Sequence, residues 1–206
     1  MKPIIKWLRH SSVIIEGSKN IAIDPWKIKG EFKADIVLVT HSHFDHLSPE
    51  DIRKLLPENG TVVAPADCFA ELEDFNCITI LPGESKDFDS VKIKAIPAYN
   101  NSKEFHPKKN NWVGYLITID EQTIYITGDS DATSEMKEVK ADIVILPVGG
   151  TYTMNPLEAA EVVNIINPGK VIPIHYGDIV GKANDGEEFS KLVISAEVEL
   201  LSPLCG

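Results

Sequence analysis

Residues 41–46 read His41-Ser42-His43-Phe44-Asp45-His46, so four side chains able to bind a metal fall within six residues. An extended backbone through 41–43 projects both imidazoles to one side, because alternate residues of a strand share a face. A tight turn at Phe44 then brings Asp45 and His46 round to a second point nearby. Neutral imidazole nitrogens with a carboxylate oxygen are a donor set that suits zinc, at roughly 2.0–2.2 Å per bond. The alternative is a solvated polar loop capping a strand. Three of the chain's six histidines crowded around one acid weigh against it. The chemistry on offer is a water made nucleophilic by divalent cations.

Two further positions could complete such a site. Asp129, in Thr127-Gly128-Asp129-Ser130, is a candidate bridging carboxylate, with Gly128 letting the backbone approach closely; a helix cap is the other reading. His175, in Ile172-Pro173-Ile174-His175-Tyr176-Gly177, is a ligand at a strand end or a histidine satisfied by backbone. Two cations need more donors than residues 41–46 supply, which favours the ligand reading for both.

The elements that must position these groups are short β-branched runs alternating with turns and helical patterns. Strands are predicted at 4–7, 12–16, 20–24, 36–40, 61–64, 77–81, 91–96, 113–119, 123–127, 143–147, 171–174 and 197–201. Ser48-Pro49-Glu50-Asp51 opens a helix with an N-cap, a first-turn proline and an acid ahead of Ile52, Leu55 and Leu56. Asn155-Pro156-Leu157-Glu158 repeats that chemistry, and Asn167-Pro168-Gly169 ends the helix it starts. Weaker helical stretches lie at 67–74, 132–139 and 185–193. Many strands with interspersed helices predict sheets packed together with helices outside, an α/β or α+β sandwich. Three strands run straight into His41, Gly128-Asp129 and His175, as ligands gathered at strand ends would.

His41-Ser42-His43-Phe44-Asp45-His46, then Gly128-Asp129, then His175, resembles the HxHxDH…D…H order of the metallo-β-lactamase superfamily. Trp7-Leu8-Arg9-His10-Ser11-Ser12, Ile23-Asp24-Pro25, Leu146-Pro147-Val148-Gly149-Gly150, Asn155-Pro156-Leu157-Glu158-Ala159-Ala160 and Pro173-Ile174-His175-Tyr176-Gly177 are similar to its branch of ascorbate-6-phosphate lactonase-like and phosphodiesterase-like proteins. The resemblance spans nearly the whole chain. It implies a four-layer αββα sandwich of two related halves, with the metals at one edge of the sheets. It also implies that His41 and His43 bind a first ion, that Asp45, His46 and His175 bind a second, and that Asp129 bridges them. Asp45 would orient the attacking water or take up its proton. Asp24 would orient a ligand histidine. The family usually carries another histidine after the strand that here ends Ala95-Ile96-Pro97-Ala98, where this chain reads Tyr99-Asn100. His106 is the candidate substitute; a depleted or weakly binding first site is the alternative. His10 belongs to the branch pattern and not to the ligand set, as a pocket residue or a buried structural histidine. Asp131, Tyr152 and Tyr176 are pocket candidates. Lys108-Lys109 could face an anionic substrate, although a solvated loop is the better reading.

Bulk properties set the limits. A chain of 206 residues, 43% hydrophobic and 25% charged, predicts one globular domain over 1–206. Its apolar runs are too short to span a bilayer, and Met1-Lys2-Pro3-Ile4-Ile5-Lys6 lacks the features of a secretory signal, so no membrane partner is expected. Cys68, Cys77 and Cys205 are odd in number and widely spaced, which argues against a disulfide framework and for a cytoplasmic setting. A net charge of −11 repels phosphate backbones, so nucleic acid is not an expected partner and a small molecule is. Homo-oligomerisation stays open. The expected function is a metal-dependent hydrolase of an ester, lactone or phosphodiester bond. Zinc is the expected ion, with manganese, iron or nickel as alternatives. A diiron redox enzyme of the flavodoxin-fused kind usually has Glu at His43 and an extra domain. A tRNA-processing nuclease needs an added arm and a basic surface. A member that binds metal or a metabolite without catalysis is the remaining alternative, resting on Tyr99-Asn100.

Overall fold

Period-two alternation of apolar residues, with both faces apolar, makes a strand that is covered on both sides. Ile21 and Ile23 in the third strand turn one way and Ala22 the other; Ile143 and Ile145 oppose Val144 and Leu146 in the same manner. The structure, a computed structural model, describes residues 2–205. Its first sheet has the order β1 (Ile4–Arg9), β2 (Ser12–Glu16), β3 (Ile21–Ile23), β4 (Ile36–Leu38), β5 (Thr61–Ala64) and β6 (Cys77–Thr79). The second runs β7 (Ser85–Phe88), β8 (Val91–Pro97), β9 (Val113–Ile119), β10 (Gln122–Ile126), β11 (Ile143–Pro147), β12 (Lys170–Ile174) and β13 (Glu197–Val198). Each sheet starts antiparallel and turns parallel, from β3 onward in the first and from β10 onward in the second.

Three apolar clusters fill the spaces between layers. The first lies between the sheets, with Ile21, Leu38 and Val63 against Ile93, Tyr115 and Ile145. The second covers the outer face of the first sheet with Ile52 and Leu55 of α1 (Pro49–Leu55), together with Leu72 and Cys68. The third covers the second sheet with Met136 of α2 (Ser134–Lys137), Val162, Val163 and Ile166 of α3 (Pro156–Ile166) and Phe189 of α4 (Asp185–Leu192). This is the expected four-layer αββα sandwich. Among the described residues no helix is long and apolar enough to cross a membrane, and the three cysteines are free.

The boundaries differ from the sequence-based expectation where polar residues decide them. β7 was not expected, because Ser85-Lys86-Asp87-Phe88 has no apolar run and pairs only at a sheet edge, with β8. The stretch expected to be helical at 67–74 is a tighter 3-10 turn over Ala66–Glu71, and the last strand stops at Val198 rather than 201. The helix at 155 forms as its sequence dictates. The Asn155 side chain accepts from the amides of Leu157 and Glu158, and Glu158 reaches back to the Asn155 amide. Replacing Asn155→Ala should remove about 1 kcal/mol. Thermal melting should show a drop of about 2–4 °C; no change would mean that the cap contributes nothing.

Candidate metal centre

Strands β4, β10 and β12, and the turn after β1, all end at one rim of the sandwich, and each delivers a functional side chain there. Beyond β4 the chain runs Val39-Thr40-His41 and turns through residues 43–47, with the amides of His46 and Leu47 donating to the His43 carbonyl. Beyond β10, Gly128 sits in the left-handed region at φ +62°, where a Cβ would meet the Val113 carbonyl oxygen at 3.0 Å and the Thr40 Cβ at 3.2 Å. Glycine there lets Asp129 enter the site beside Thr40. Of the ten non-glycine residues with left-handed backbones among the described residues, three belong to this site: His10 (φ 46°), Asp24 (φ 45°) and His175 (φ 59°). Histidine and aspartate tolerate this region better than most residues, at a cost of about 1–2 kcal/mol each. The His175 amide donates to the His10 carbonyl at 3.0 Å and so ties the end of β12 to the β1–β2 turn.

The seven expected donors converge. His41, His43 and His106 form one group, and His46 and His175 with Asp45 form another; within each group one ligand atom per residue lies within 4.8 Å of the rest. His41, His46 and Asp129 satisfy the same limit. Asp129 Oδ2 stands between the groups, 3.5 Å from Nε2 of His46, 3.5 Å from Nε2 of His106 and 3.3 Å from Nε2 of His175. His10 joins the second group, with Nε2 3.0 Å from Asp45 Oδ2 and its ring centroid 3.8 Å from that of His175. The branch pattern contained His10, but nothing in its spacing from residue 41 shows that the chain returns to Asp45.

Hydrogen bonding fixes which ring nitrogens are bare. Buried Asp24 accepts from the Thr40 amide at 2.8 Å and the Thr40 hydroxyl at 2.6 Å. Having donated its only proton to Asp24, Thr40 Oγ1 can only accept from His41 Nδ1, at 2.9 Å. Asp24 Oδ2 also accepts from His46 Nδ1 at 2.8 Å. Both rings therefore carry a proton on Nδ1 and turn Nε2 toward the site, where His41 Nε2 lies 3.0 Å from His43 Nδ1 and His46 Nε2 lies 3.5 Å from Asp129 Oδ2. Asn100 does the same for His106. Its amide nitrogen donates to Asp131 Oδ1 and the Tyr152 carbonyl, so its oxygen must accept from the His106 amide at 3.0 Å and from His106 Nδ1 at 3.1 Å. His106 Nε2 is left buried with no hydrogen-bond partner, as are both ring nitrogens of His175. Buried polar atoms without partners are rare, and bare imidazole nitrogens facing carboxylates have the donor chemistry of a divalent-cation site. The residues present fit such ions.

The electrostatics point the same way. Burial pushes the His41 and His43 imidazoles below the ordinary histidine value, and the charge of His46 adds to the effect. Burial takes His106 down to about 4, against the pull of Asp129. These rings are neutral at pH 7, as ligation requires. Burial resists ionisation of Asp129, but His175 and His46 beside it hold its carboxyl well below the usual range. Burial also resists charge on Asp45, yet the bond to His10 and the charge of His46 bring it to about 2. His46 shifts the other way: burial lowers it, while Asp129 and Asp24 outweigh burial and raise it well above the ordinary value. The buried carboxylates thus call for positive charge at the point where the histidines converge.

The remaining candidates divide. Tyr152 lines a cavity of about 240 Å³ together with His43, Asp45, His106 and Asp129. Asp131 does not; it holds Asn100, the Asn101 amide and Lys103. Tyr176 packs on Trp7, ring centroids 5.2 Å apart, beside a different cavity. Lys108 pairs with Glu135 at 2.8 Å and lines no part of the metal-facing cavity. Asn100 is the functional residue that sequence reasoning missed. It marked a missing histidine, and only the fold shows it anchoring the replacement.

Comparison with known proteins agrees with this architecture. The profile of the beta-lactamase superfamily domain matches residues 4–175. A crystal structure of a Parabacteroides distasonis protein superposes with a TM-score of 0.87 at 29% identity, covering 98% of this chain and 93% of that one. A structure described as a novel metallo hydrolase from Ignicoccus hospitalis superposes with a TM-score of 0.79 at 26% identity, covering 97% and 94%. The chain belongs to the metallo-β-lactamase superfamily. Within it, the chain is a member of the UPF0173 family. It is 35% identical to the UPF0173 metal-dependent hydrolase of Thermococcus kodakarensis, over 97% of this chain and 96% of that protein.

Two substitutions separate the roles of the supporting residues. Asn100→Leu keeps the side-chain size and removes the acceptor, so His106 should lose its orientation and elemental analysis should find one ion fewer per chain. An unchanged metal content would show that Asn100 is dispensable. Asp24→Asn should weaken metal binding about 10–100-fold, the usual effect of losing such a support. A chelator competition titration measures it, and an unaltered affinity would contradict the tautomer argument.

Proposed function

We propose that this protein is a metal-dependent hydrolase acting on an ester, lactone or phosphodiester bond of a small substrate. The observation that carries the reading is the convergence of Nε2 of His46, His106 and His175 on Asp129 at the rim of the two sheets, those of His106 and His175 buried without a hydrogen-bond partner. The names of the relatives, metal-dependent hydrolases, support it. His41, His43 and His106 would hold one ion, and Asp45, His46 and His175 the other, with Asp129 between them. Nitrogen donors mixed with carboxylate favour zinc; manganese, iron and nickel accept the same donors. The position of His106 beside His41 and His43 supports catalysis over binding alone, because it supplies the donor that Tyr99-Asn100 lacks.

Bound divalent ions would lower the pKa of water toward neutrality and polarise the oxygen of the scissile group. The side chains do the rest. Asp24, directly and through Thr40, and Asn100 hold Nδ1 of His46, His41 and His106 as donors and so turn each Nε2 toward the site. His10 holds Asp45 through Oδ2, and the Asp45 carboxylate also lines the cavity. With a pKa of about 2, Asp45 is too weak a base to keep a proton at pH 7. Its role is to accept a hydrogen bond from the attacking water and orient it, passing the proton on toward the leaving group. The cavity of about 240 Å³ suits a small molecule.

Elemental analysis of the purified protein, followed by a screen of ester, lactone and phosphodiester substrates, tests the reading. Two ions per chain and turnover are expected. Asp45→Ala in a metal-replete protein should lower kcat by about 10²–10⁴-fold with the fold intact. Activity within tenfold of the parent chain would remove Asp45 from the mechanism. A protein without bound ions and without turnover would leave metabolite binding as the better description.

A further inference from the structure

The cavity beside the metal centre has two kinds of wall. Its buried side is polar, formed by His106 and Asp129 with the half-buried His43 and Asp45. Its mouth is apolar: Phe44, Phe105, Tyr152 and Ile179 are exposed, Phe44 by 71%, and Val180 lies behind them. Phe105 and Tyr152 meet edge to face with centroids 4.6 Å apart, and Phe44 stands against Trp26 at 6.1 Å, so these rings are braced. Large apolar side chains left in water around a polar centre mark a binding surface, since their exposure brings the free protein no stability.

The charge pattern is equally selective. Among the described residues no lysine or arginine lines this cavity. Lys103 and Lys108, which flank Phe105 and His106 in sequence, are tied to Asp131 and Glu135. The whole chain carries −11. An anionic phosphodiester would meet the field of an acidic protein and find no side-chain cation to hold its oxygens. A neutral acyl group meets neither obstacle. In size, an engineered apolar cavity of about 150 Å³ accepts benzene, so about 240 Å³ takes one aromatic ring or a short alkyl chain together with its carbonyl.

We infer that the substrate is a neutral carboxylic ester or lactone bearing a single aryl or short alkyl substituent, and that Phe44, Phe105, Tyr152 and Ile179 seat this substituent. The inference rests on the hydrolase reading above and narrows it. Phosphodiesters are disfavoured by the lack of a cationic clamp.

Alkyl hydroxamates are neutral probes that keep one metal-binding group while the chain grows. Isothermal titration calorimetry on the purified protein should show binding that tightens about fourfold per methylene from aceto- through butyro- to hexanohydroxamate. Phe44→Ala and Ile179→Ala, both at exposed positions, should keep the melting temperature and metal content while cutting this dependence below twofold per methylene. In turnover, p-nitrophenyl hexanoate should exceed p-nitrophenyl acetate by a similar factor per methylene and bis(p-nitrophenyl) phosphate by at least about 100-fold in kcat/KM. Hydroxamate binding that ignores chain length, binding unaltered in both variants, or preferred turnover of the phosphodiester would each overturn the inference. Chain-length-dependent binding without ester turnover would support the apolar seat and sink the hydrolase reading. Turnover of every ester at one rate would do the reverse.

Discussion

The buried carboxylate of Asp24 is the constraint on which the rest of the site depends. It accepts from the Thr40 amide, the Thr40 hydroxyl and His46 Nδ1, and through that hydroxyl it also sets His41. One side chain therefore decides where the protons sit on a histidine from each group of donors. Its left-handed backbone is held in place because the Asp24 amide donates to the Leu38 carbonyl and its own carbonyl accepts from Ser12. The strain is localised at a residue type that tolerates it, and the carboxylate oxygens are matched by hydrogen-bond donors. A charge buried this deeply persists only when its lone pairs are matched in this way.

Around this support, burial and charge work against each other in a graded manner. The imidazoles of His41, His43 and His106 are kept neutral by desolvation, while Asp45 and Asp129 are kept ionised by the histidines beside them. These three rings thus offer neutral nitrogens beside anionic oxygens at the same pH, the combination that ligation of a divalent cation requires, while His46, raised by Asp129 and Asp24, is the ring that has a proton to give up. Outward from it, Phe44 and Ile179 replace polar groups with exposed apolar surface. One cavity joins a region that attracts cations to one that prefers hydrocarbon.

Much of this was legible in the sequence. Each long strand is a run whose alternate residues all find a covered face, and β7 escaped notice because a polar edge strand has no such signature. The cluster at 41–46 was legible because its members are neighbours in the chain. Asp129 and His175 were legible only in company: each alone reads equally well as a cap or a satisfied strand-end residue, and the donor demand of the cluster at 41–46, then the resemblance, singled them out. Asn100 could not be read at all. Its function is a hydrogen bond to His106, six positions on, and that bond depends on Asp131 and Tyr152 claiming the other end of the same amide. His10 is similar: its partner Asp45 is 35 residues away, and their meeting at 3.0 Å is a product of the packed sheets.

The bond from the His175 amide to the His10 carbonyl crosses the seam between the two sheets. Each sheet alone brings only part of the donor set to the rim: the first supplies residues 10 and 41–46, the second residues 106, 129 and 175. Coordination is therefore a reading of quaternary-like closeness inside one polypeptide, a lock that shuts only when the two leaves are in register. Any ion bound across the seam would act as a rivet, adding its binding free energy to the cohesion of the leaves.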